Sequence, residues 1–205
     1  MIYAKILKII SVLILILTNS FLYGQSRSDA FYLDANYGAV ILNTPQPVQF
    51  SHFDIGGRYM LSDYIGVKLD FGFDEAYKFK KPTYHGVDYT RYSVMAVGNV
   101  LNILDYNSFD YNEKFNIYAS AGFGLSTFRS ELIPGSGKDN TGHIIIGVNP
   151  QYTFMKNVSV GLNLNYLMNL SQHYNFSGTY TYDNKPRSVT TGMGNIGLGI
   201  SVLFE

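Results

Sequence analysis

The chain has 205 residues, no cysteine, and 15 basic against 15 acidic residues. This length suits one domain, and the lack of cysteine excludes a disulfide framework and a lipoprotein anchor. Balanced charge argues against nucleic-acid binding, which requires a strong basic excess. There are 18 Tyr and 14 Phe but no Trp, and aromatic side chains with a polar tip are typical of membrane interfaces.

The first residues have the order of a secretory signal peptide. Lys5 and Lys8 provide a basic start, and an apolar run follows over residues 9–17. This run is shorter than the ~20 residues that a membrane-spanning helix needs, which disfavours the alternative of a retained anchor. We predict a signal peptide at residues 1–24, cleaved after Gly24 or, as the alternative, after Ser20, and one mature domain at residues 25–205.

From Asp29 onward, segments of about ten residues alternate between apolar and polar side chains, which is the period of a β-strand. Strands that cross a membrane need ~9–11 residues. The eight predicted strands are Asp29–Ile41, Phe50–Leu61, Tyr64–Asp74, Val87–Val100, Phe115–Phe128, Gly142–Met155, Val158–Leu170 and Gly194–Glu205.

The chemistry of the two faces distinguishes a membrane barrel from a soluble sandwich, which also alternates. The third strand is the clearest case, with Val67, Leu69 and Phe71 on one face and Lys68 and Asp70 on the other. Over all eight strands the polar set is rich in Gly, Asn and Ser, which resembles the filling of a narrow barrel more than a solvated surface. The sequence therefore predicts an all-β fold, an eight-stranded antiparallel transmembrane up-and-down β-barrel.

The connections agree with this topology. Keeping the apolar sets of neighbouring strands on one face requires an odd number of residues in a tight turn, so we expect three-residue loops centred near Asp63 and Lys156. Pro150 removes one ladder hydrogen bond, which predicts weak pairing or a bulge. Two short connections and Leu101–Lys114 lie at one end, and longer ones lie at the other, as in outer-membrane barrels.

Two segments carry a resemblance to a known family. The strand, turn and strand from Gly57 to Val67, and the segment from Tyr118 to Leu125, resemble the small outer-membrane β-barrel superfamily that includes the OmpA-like membrane domain, in the form seen in many Bacteroidetes surface proteins. The last strand is similar to the one by which the barrel-assembly machinery recognises this family. The residues to which the resemblance gives this role are Gly199, Val202 and Phe204.

Charged residues on the inward face occur only on the first four predicted strands. Burying them unpaired would be costly, so we expect a network of cations and carboxylates in the lumen. A structural role, stiffening the barrel, is favoured over a conducting pathway, because eight strands leave room for little more than side chains. The predicted network comprises Asp34, Asp54, Arg58, Lys68, Asp70 and Arg91, with Asp74 on the same face.

The remaining candidate residues lie near the predicted outer rim. We interpret His52, His85, His143 and His173 as solvated, because their spacing matches no metal-ligand motif. A lipid A deacylase would need a serine beside a histidine, and only His173 with Ser171 or Ser177 offers one. Candidate contacts with lipopolysaccharide phosphates are Lys78, Lys80 and Lys81, with plain solubility as the equal alternative.

Taken together, these patterns predict a monomeric, non-enzymatic protein of the bacterial outer membrane with a structural or surface-interaction role. A narrow porin-like channel is the alternative, and a lipid A-modifying enzyme is a third hypothesis. We expect no cofactor, no metal and no nucleic-acid partner. The expected partners are outer-membrane lipid, lipopolysaccharide and the barrel-assembly machinery.

The predicted processing site can be measured directly. We expect the protein purified from membranes to begin at Gln25, because small residues at the end of the signal favour cleavage after Gly24. Intact mass spectrometry distinguishes this from cleavage after Ser20. A mass that includes Lys5 and Lys8 would contradict a cleaved signal.

Overall fold

The computed structural model describes residues 29–42, 48–76, 86–104, 114–130, 137–182 and 187–204. They form eight strands and one short helical turn. In chain order these elements are β1 (Ala30–Leu42), β2 (Val48–Met60), β3 (Ile65–Ala76), β4 (Val87–Asn99), α1 (Val100–Ile103), β5 (Phe115–Ser130), β6 (Lys138–Met155), β7 (Val158–Gln172) and β8 (Val189–Phe204).

Each strand pairs antiparallel with its neighbour in the chain, and β8 pairs with β1 to close the ring. The closing register runs from Phe31 opposite Phe204 to Leu42 opposite Met193. The rings of Phe31 and Phe204 lie 6.1 Å apart where the ring closes. The predicted eight-stranded antiparallel up-and-down barrel is therefore confirmed.

The barrel is apolar outside and polar inside, the reverse of a soluble barrel. Leu69 on β3, Phe123 on β5 and Leu198 on β8 are exposed by 60%, 70% and 72%. The inward-facing residues Asp70 on β3 and Arg91 on β4 are buried. Such a surface would be an aggregation hazard in water but suits contact with lipid.

Two ends of the barrel can be named from its connections. We call the end with residues 61–64 and 156–157 the turn end, and the opposite end the loop end. At the loop end the strands run further than the sequence predicts, since β6 begins at Lys138 rather than Gly142 and β8 at Val189 rather than Gly194. The ladder of β6 continues there with polar side chains on both faces, and that of β8 includes Thr190 and Thr191, so apolar alternation does not reveal these extensions.

The two tight turns differ in how they keep the register. Around Asp63 the carbonyl of Ile65 accepts hydrogen bonds from the amides of Leu61 and Ser62, which fits the predicted three-residue loop. The predicted three-residue loop at Lys156 is wrong. Met155 lies opposite Val158, and the register shifts by one residue between Thr153 and Met155, so a bulge supplies the residue that the shorter turn lacks.

Pro150 interrupts pairing on one side only. On β5 it lies opposite Ile117, within an unbroken register. Towards β7 the register passes from Val148 opposite Leu164 to Gln151 opposite Gly161, without a shift. The predicted weak pairing is therefore found and the alternative bulge is not, as expected for a residue that lacks only the donor.

The segment after β4 was expected to be a loop, but it begins with a helical turn. The Asn99 side chain accepts a hydrogen bond from the Asn102 amide and caps α1. The Asn102 side chain donates to the carbonyl of Asp63, 2.8 Å away, and so ties α1 to the neighbouring turn. Among the described residues, no helix is long and apolar enough to cross a membrane.

Apolar side chains close the interior at both ends. At the turn end the cluster consists of Ala30, Met60, Val97, Tyr118 and Leu203, with Tyr32 packed against it. At the loop end a larger cluster includes Val40, Leu42, Ala76, Val87, Tyr89, Phe128, Ile145, Leu167, Phe176 and Met193. The polar residues of the lumen lie between these two clusters.

Phe176 attaches the segment between β7 and β8 to the loop end of the barrel. It comes from the segment between β7 and β8, is buried, and its ring lies 5.8 Å from that of Phe128. The Ser130 hydroxyl donates to the carbonyl of Gly178, 2.6 Å away, and holds the same segment against β5. This segment is therefore packed onto the barrel mouth.

Truncating this side chain should measure how firmly the mouth is closed. We expect Phe176→Ala to destabilise the barrel by about 3 kcal/mol, because it removes a buried aromatic ring and leaves a cavity. Tyr182→Ala, at a half-exposed position, is the control and should cost less than about 0.5 kcal/mol. Because the chain has no tryptophan, the urea midpoint is measured by gel mobility of the folded band in vesicles. Equal urea midpoints for the two variants would contradict packing of this segment onto the barrel mouth.

Candidate functional site: the charged lumen

Arg58 on β2 organises the part of the lumen nearest the turn end. Its Nη2 lies 3.4 Å from Asp34 Oδ1 and donates to Ser201 Oγ at 3.0 Å. The guanidinium lies over the rings of Tyr32 and Tyr118, with its carbon 4.5 and 4.0 Å from their centroids. The planar cation is thus held by a carboxylate at its edge and by aromatic rings at its faces.

Lys68 on β3 joins this layer to the next. Its Nζ lies 3.5 Å from Asp34 Oδ2 and 3.2 Å from Asp70 Oδ1. The Ser201 hydroxyl also donates to Asp34 Oδ1, at 2.5 Å. Because one cation contacts carboxylates from two strands, the layers form one continuous network.

Arg91 on β4 is the centre of the network. Its Nη2 lies 3.0 Å from Asp70 and 3.5 Å from Asp54, and its Nη1 lies 3.4 Å from Asp74. Arg91 has no measurable exposure, so these contacts replace the water at its two terminal nitrogens, whereas its Nε is buried without a hydrogen-bond partner. Polar side chains complete the shell around Asp54, which accepts from Asn36 at 2.5 Å and from Asn163 at 3.1 Å.

His52 was expected on the outer rim, and that interpretation is wrong. The structure buries it completely between Asp54 and Asp74. Nδ1 lies 2.6 Å from Asp74 Oδ1, and Nε2 lies 2.8 Å from Asp54 Oδ2. Carboxylates only accept hydrogen bonds, so both contacts are satisfied when both ring nitrogens carry a proton.

This arrangement also balances the lumen charge. Carboxylates from four aspartates face three permanent cations, and a doubly protonated His52 is the fourth. The residues concerned are Asp34, Asp54, Asp70 and Asp74 on one side, and Arg58, Lys68, Arg91 and His52 on the other.

His143 is likewise inside the barrel rather than solvated on a loop. Its Nε2 lies 2.9 Å from Ser93 Oγ and its Nδ1 lies 2.6 Å from Ser126 Oγ. The Tyr89 hydroxyl, 2.6 Å from the same Ser126 oxygen, donates to Asn169. This is a serine beside a histidine, but the side chains of His143, Ser93 and Ser126 are all buried.

Sequence reasoning missed both inward histidines as members of the lumen. The available signal was parity, because His52 is two residues before Asp54. Residues two apart in a strand share a face. The spacing of apolar side chains defines the faces of the predicted strands, and histidine belongs to neither the apolar nor the polar set.

The six lumen residues predicted from sequence all belong to the one network described above. For the enzyme hypothesis, His173 Nδ1 lies 3.1 Å from Asp139 Oδ1. Ser177 contacts Thr179 instead, at 3.0 Å. Within the described ranges no hydrogen bond joins His173 to Ser171 or Ser177, and no group of three or more His, Asp or Glu is arranged to hold a metal ion.

The other predicted residues lie elsewhere. Gly199 faces the lumen at Asn36, where a Cβ atom would collide with the amide oxygen of that side chain. Val202 is on the outward face but is covered, with Leu33 and Val158 opposite it in the ladder. The ring of Phe204 lies beside that of Phe31, tilted by 52°. His85 and the candidate lipopolysaccharide contacts Lys78, Lys80 and Lys81 lie outside the described residues.

Comparison with known proteins shows the fold. No family model matches the chain, and no curated protein does. Among solved structures, Neisserial surface protein A matches with a TM-score of 0.58 and 14% identity over 85% of this chain and 97% of that one.

Two proteins of Pseudomonas aeruginosa give similar results. The N-terminal β-barrel domain of OprF matches with a TM-score of 0.54 and 15% identity, over 86% of this chain and 98% of that one. The outer membrane protein OprG matches with a TM-score of 0.53 and 10% identity, over 89% and 98%. The chain therefore has the fold of small eight-stranded outer-membrane barrels.

The contacts of the two arginines predict that removing the charge of Arg91 costs more stability than removing the charge of Arg58. Arg91→Gln leaves three carboxylates without their shared cation, whereas Arg58→Gln leaves one. We expect losses of about 5 and about 3 kcal/mol, because breaking a buried ion pair strands a charge. The measurement is the urea midpoint in vesicles, with exposed Arg187→Gln as control.

A double variant separates charge from packing. Asp70→Asn added to Arg91→Gln should recover part of the lost stability, because one stranded carboxylate becomes neutral. Additive losses in that cycle would contradict an electrostatic network.

Proposed function

We propose that this chain is a non-catalytic, monomeric β-barrel protein of the bacterial outer membrane, with a stiff, closed body and a surface-interaction role at its loop end. The fold likeness to outer-membrane barrels supports this location. The outward belt of exposed apolar side chains also supports it, because exposing so large an apolar area to water is unfavourable. The signal peptide predicted at residues 1–24 and the assembly residues Gly199, Val202 and Phe204 belong to the same proposal.

The observation that carries the structural role is the filling of the lumen. Charged side chains from β1 to β4 contact one another across the interior, and every carboxylate in the network touches a cation. Apolar clusters close this layer at both ends. A wide aqueous pathway would require moving at least one cluster and separating buried ion pairs, which is costly.

The loop end supplies the surface for contacts. The segment after β7 folds back on itself, with Tyr174 stacked on Tyr180 at 5.3 Å between ring centroids. Half-exposed Tyr182 follows this reversal, and the guanidinium carbon of Arg187 lies 5.7 Å from its ring centroid. Aromatic and arginine side chains are those that binding surfaces favour. We propose lipopolysaccharide as one partner, with Lys78, Lys80 and Lys81 as further contacts.

The closed lumen makes a clear prediction in planar bilayers. We expect the purified barrel to give no stable single-channel steps, and Phe176→Ala to give none either, because the charged layer and the turn-end cluster remain. Stable steps that disappear on changing Asp70 or Arg58 would overturn the structural role in favour of a channel.

The proposed outer-membrane location can be tested separately by cell fractionation. We expect the protein in the outer-membrane fraction, with a folded form that runs faster on gels until heated. Recovery in the soluble fraction would contradict an integral barrel, whatever the bilayer recordings show.

A further inference from the structure

An apolar groove lies on the outward face of β2 to β5. It has a volume of about 710 Å³, and its side chains include Ile55, Leu69, Tyr92, Val94, Phe123 and Leu125. This volume is within the range of small-molecule sites, ~300–1,000 Å³. The register places these residues in two successive outward rows, Ile55–Phe71–Tyr92–Leu125 and Gly57–Leu69–Val94–Phe123.

Gly57 leaves one outward row of the groove without a side chain. Gly57 lies between Ile55 and Tyr59 on the outward face of β2, beside Leu33 and Leu69. A Cβ atom there would approach the ring of Phe31 to 3.2 Å. Leu69, Phe123 and Leu125, which also line the groove, are exposed by 60%, 70% and 70%. Exposed apolar side chains therefore surround a concave part of the outward face.

Two cations lie above the groove at the loop end. Arg129 on β5 and Lys138 on β6 are directly opposite in the register, and both are exposed. One outward row separates them from the groove, and it contains Thr127, whose hydroxyl donates to Asn140 Oδ1 at 2.9 Å. Arg129 is four residues beyond Leu125, which is about 13 Å along a strand.

The pairing of these cations is unfavourable by itself. Like charges directly opposite on a sheet destabilise it. Asp88 is the register partner of Arg129 on its other side, yet no ion pair joins Arg129 or Lys138 to a carboxylate within the described ranges. An anionic group between the two side chains would relieve their repulsion, and phosphate is the anion that arginine and lysine both favour.

We propose that Arg129, Lys138 and the β2–β5 groove form one site for a phosphate-bearing lipid of the outer leaflet. The phosphate lies between the two cations, the polar row of Thr127 and Asn140 meets the linkage region, and an acyl chain occupies the groove. The order of phosphate, polar row and apolar groove follows the order of groups in such a lipid. The site rests on the proposed membrane location, and it deepens the proposed contact with lipopolysaccharide.

The cations are tested by charge removal in the whole barrel. Purified protein in detergent is mixed with lipid A bearing its phosphates, or with diacylglycerol of the same chain length, and bound lipid is counted by native mass spectrometry. We expect one lipid A to bind, and Arg129→Gln/Lys138→Gln to weaken this about tenfold. The control Lys114→Gln/Lys156→Gln removes the same charge at the turn end and should have little effect.

The groove is tested by filling it without changing charge. Val94→Trp places a large ring in the groove, and we expect lipid A binding to fall severalfold. Val160→Trp is the matched control, because Val160 is an outward valine of similar exposure on β7, away from the groove. The heat-dependent gel shift is measured for every variant, so that a misfolded barrel is not scored as a loss of binding.

Four results would overturn the proposal. They are equal binding by the double variant and wild type, equal losses in the turn-end control, equal losses from the two tryptophan variants, and displacement of lipid A by inorganic phosphate at similar concentration. The last result would identify a free anion as the occupant. None of them affects fractionation into the outer membrane, so failure of this site is distinguishable from failure of the proposed location.

Discussion

The contact of Arg91 with three buried carboxylates is the constraint on which the rest of the interior depends. Asp54, Asp70 and Asp74 come from two strands, and none could be buried alone without a large desolvation cost. Their contact with Arg91 stabilises β2, β3 and β4 in one register. Around this centre His52, Lys68 and Arg58 extend the network until it spans the barrel.

This network stabilises the interior of the barrel, whereas the proposed contacts lie on its surfaces. Charge pairs in a place of low dielectric are strong when satisfied, and the apolar clusters at both ends exclude the water that would weaken them. The described interior of the barrel is therefore filled by paired side chains. The surfaces that we propose for contacts lie outside it, in the segment around Tyr174 and Tyr180 and in the outward groove beneath Arg129 and Lys138.

Much of the fold was predictable because a barrel strand obeys a period of two. That rule identified the eight strands, the inward position of Arg58 and Arg91, and the closing of β8 on β1. It failed where residues outside the apolar set carry the structure. His52 and His143 lie inside the barrel rather than at the rim, and β6 and β8 extend further at the loop end than the alternation predicts. A bulge between Thr153 and Met155 takes the place of a longer turn.

The sequence by itself determined which face of each strand points outward and which faces the lumen, because side-chain alternation is a local property of the extended chain. It also determined that cations and carboxylates share the interior. Only the tertiary structure decided which of them touch. That choice depends on the register between neighbouring strands and on ring closure, which bring Arg58 to Ser201 and His52 to Asn195 across 143 positions in the sequence. Such distances carry no local signal, so partners that pair across the lumen are set by the geometry of the closed barrel.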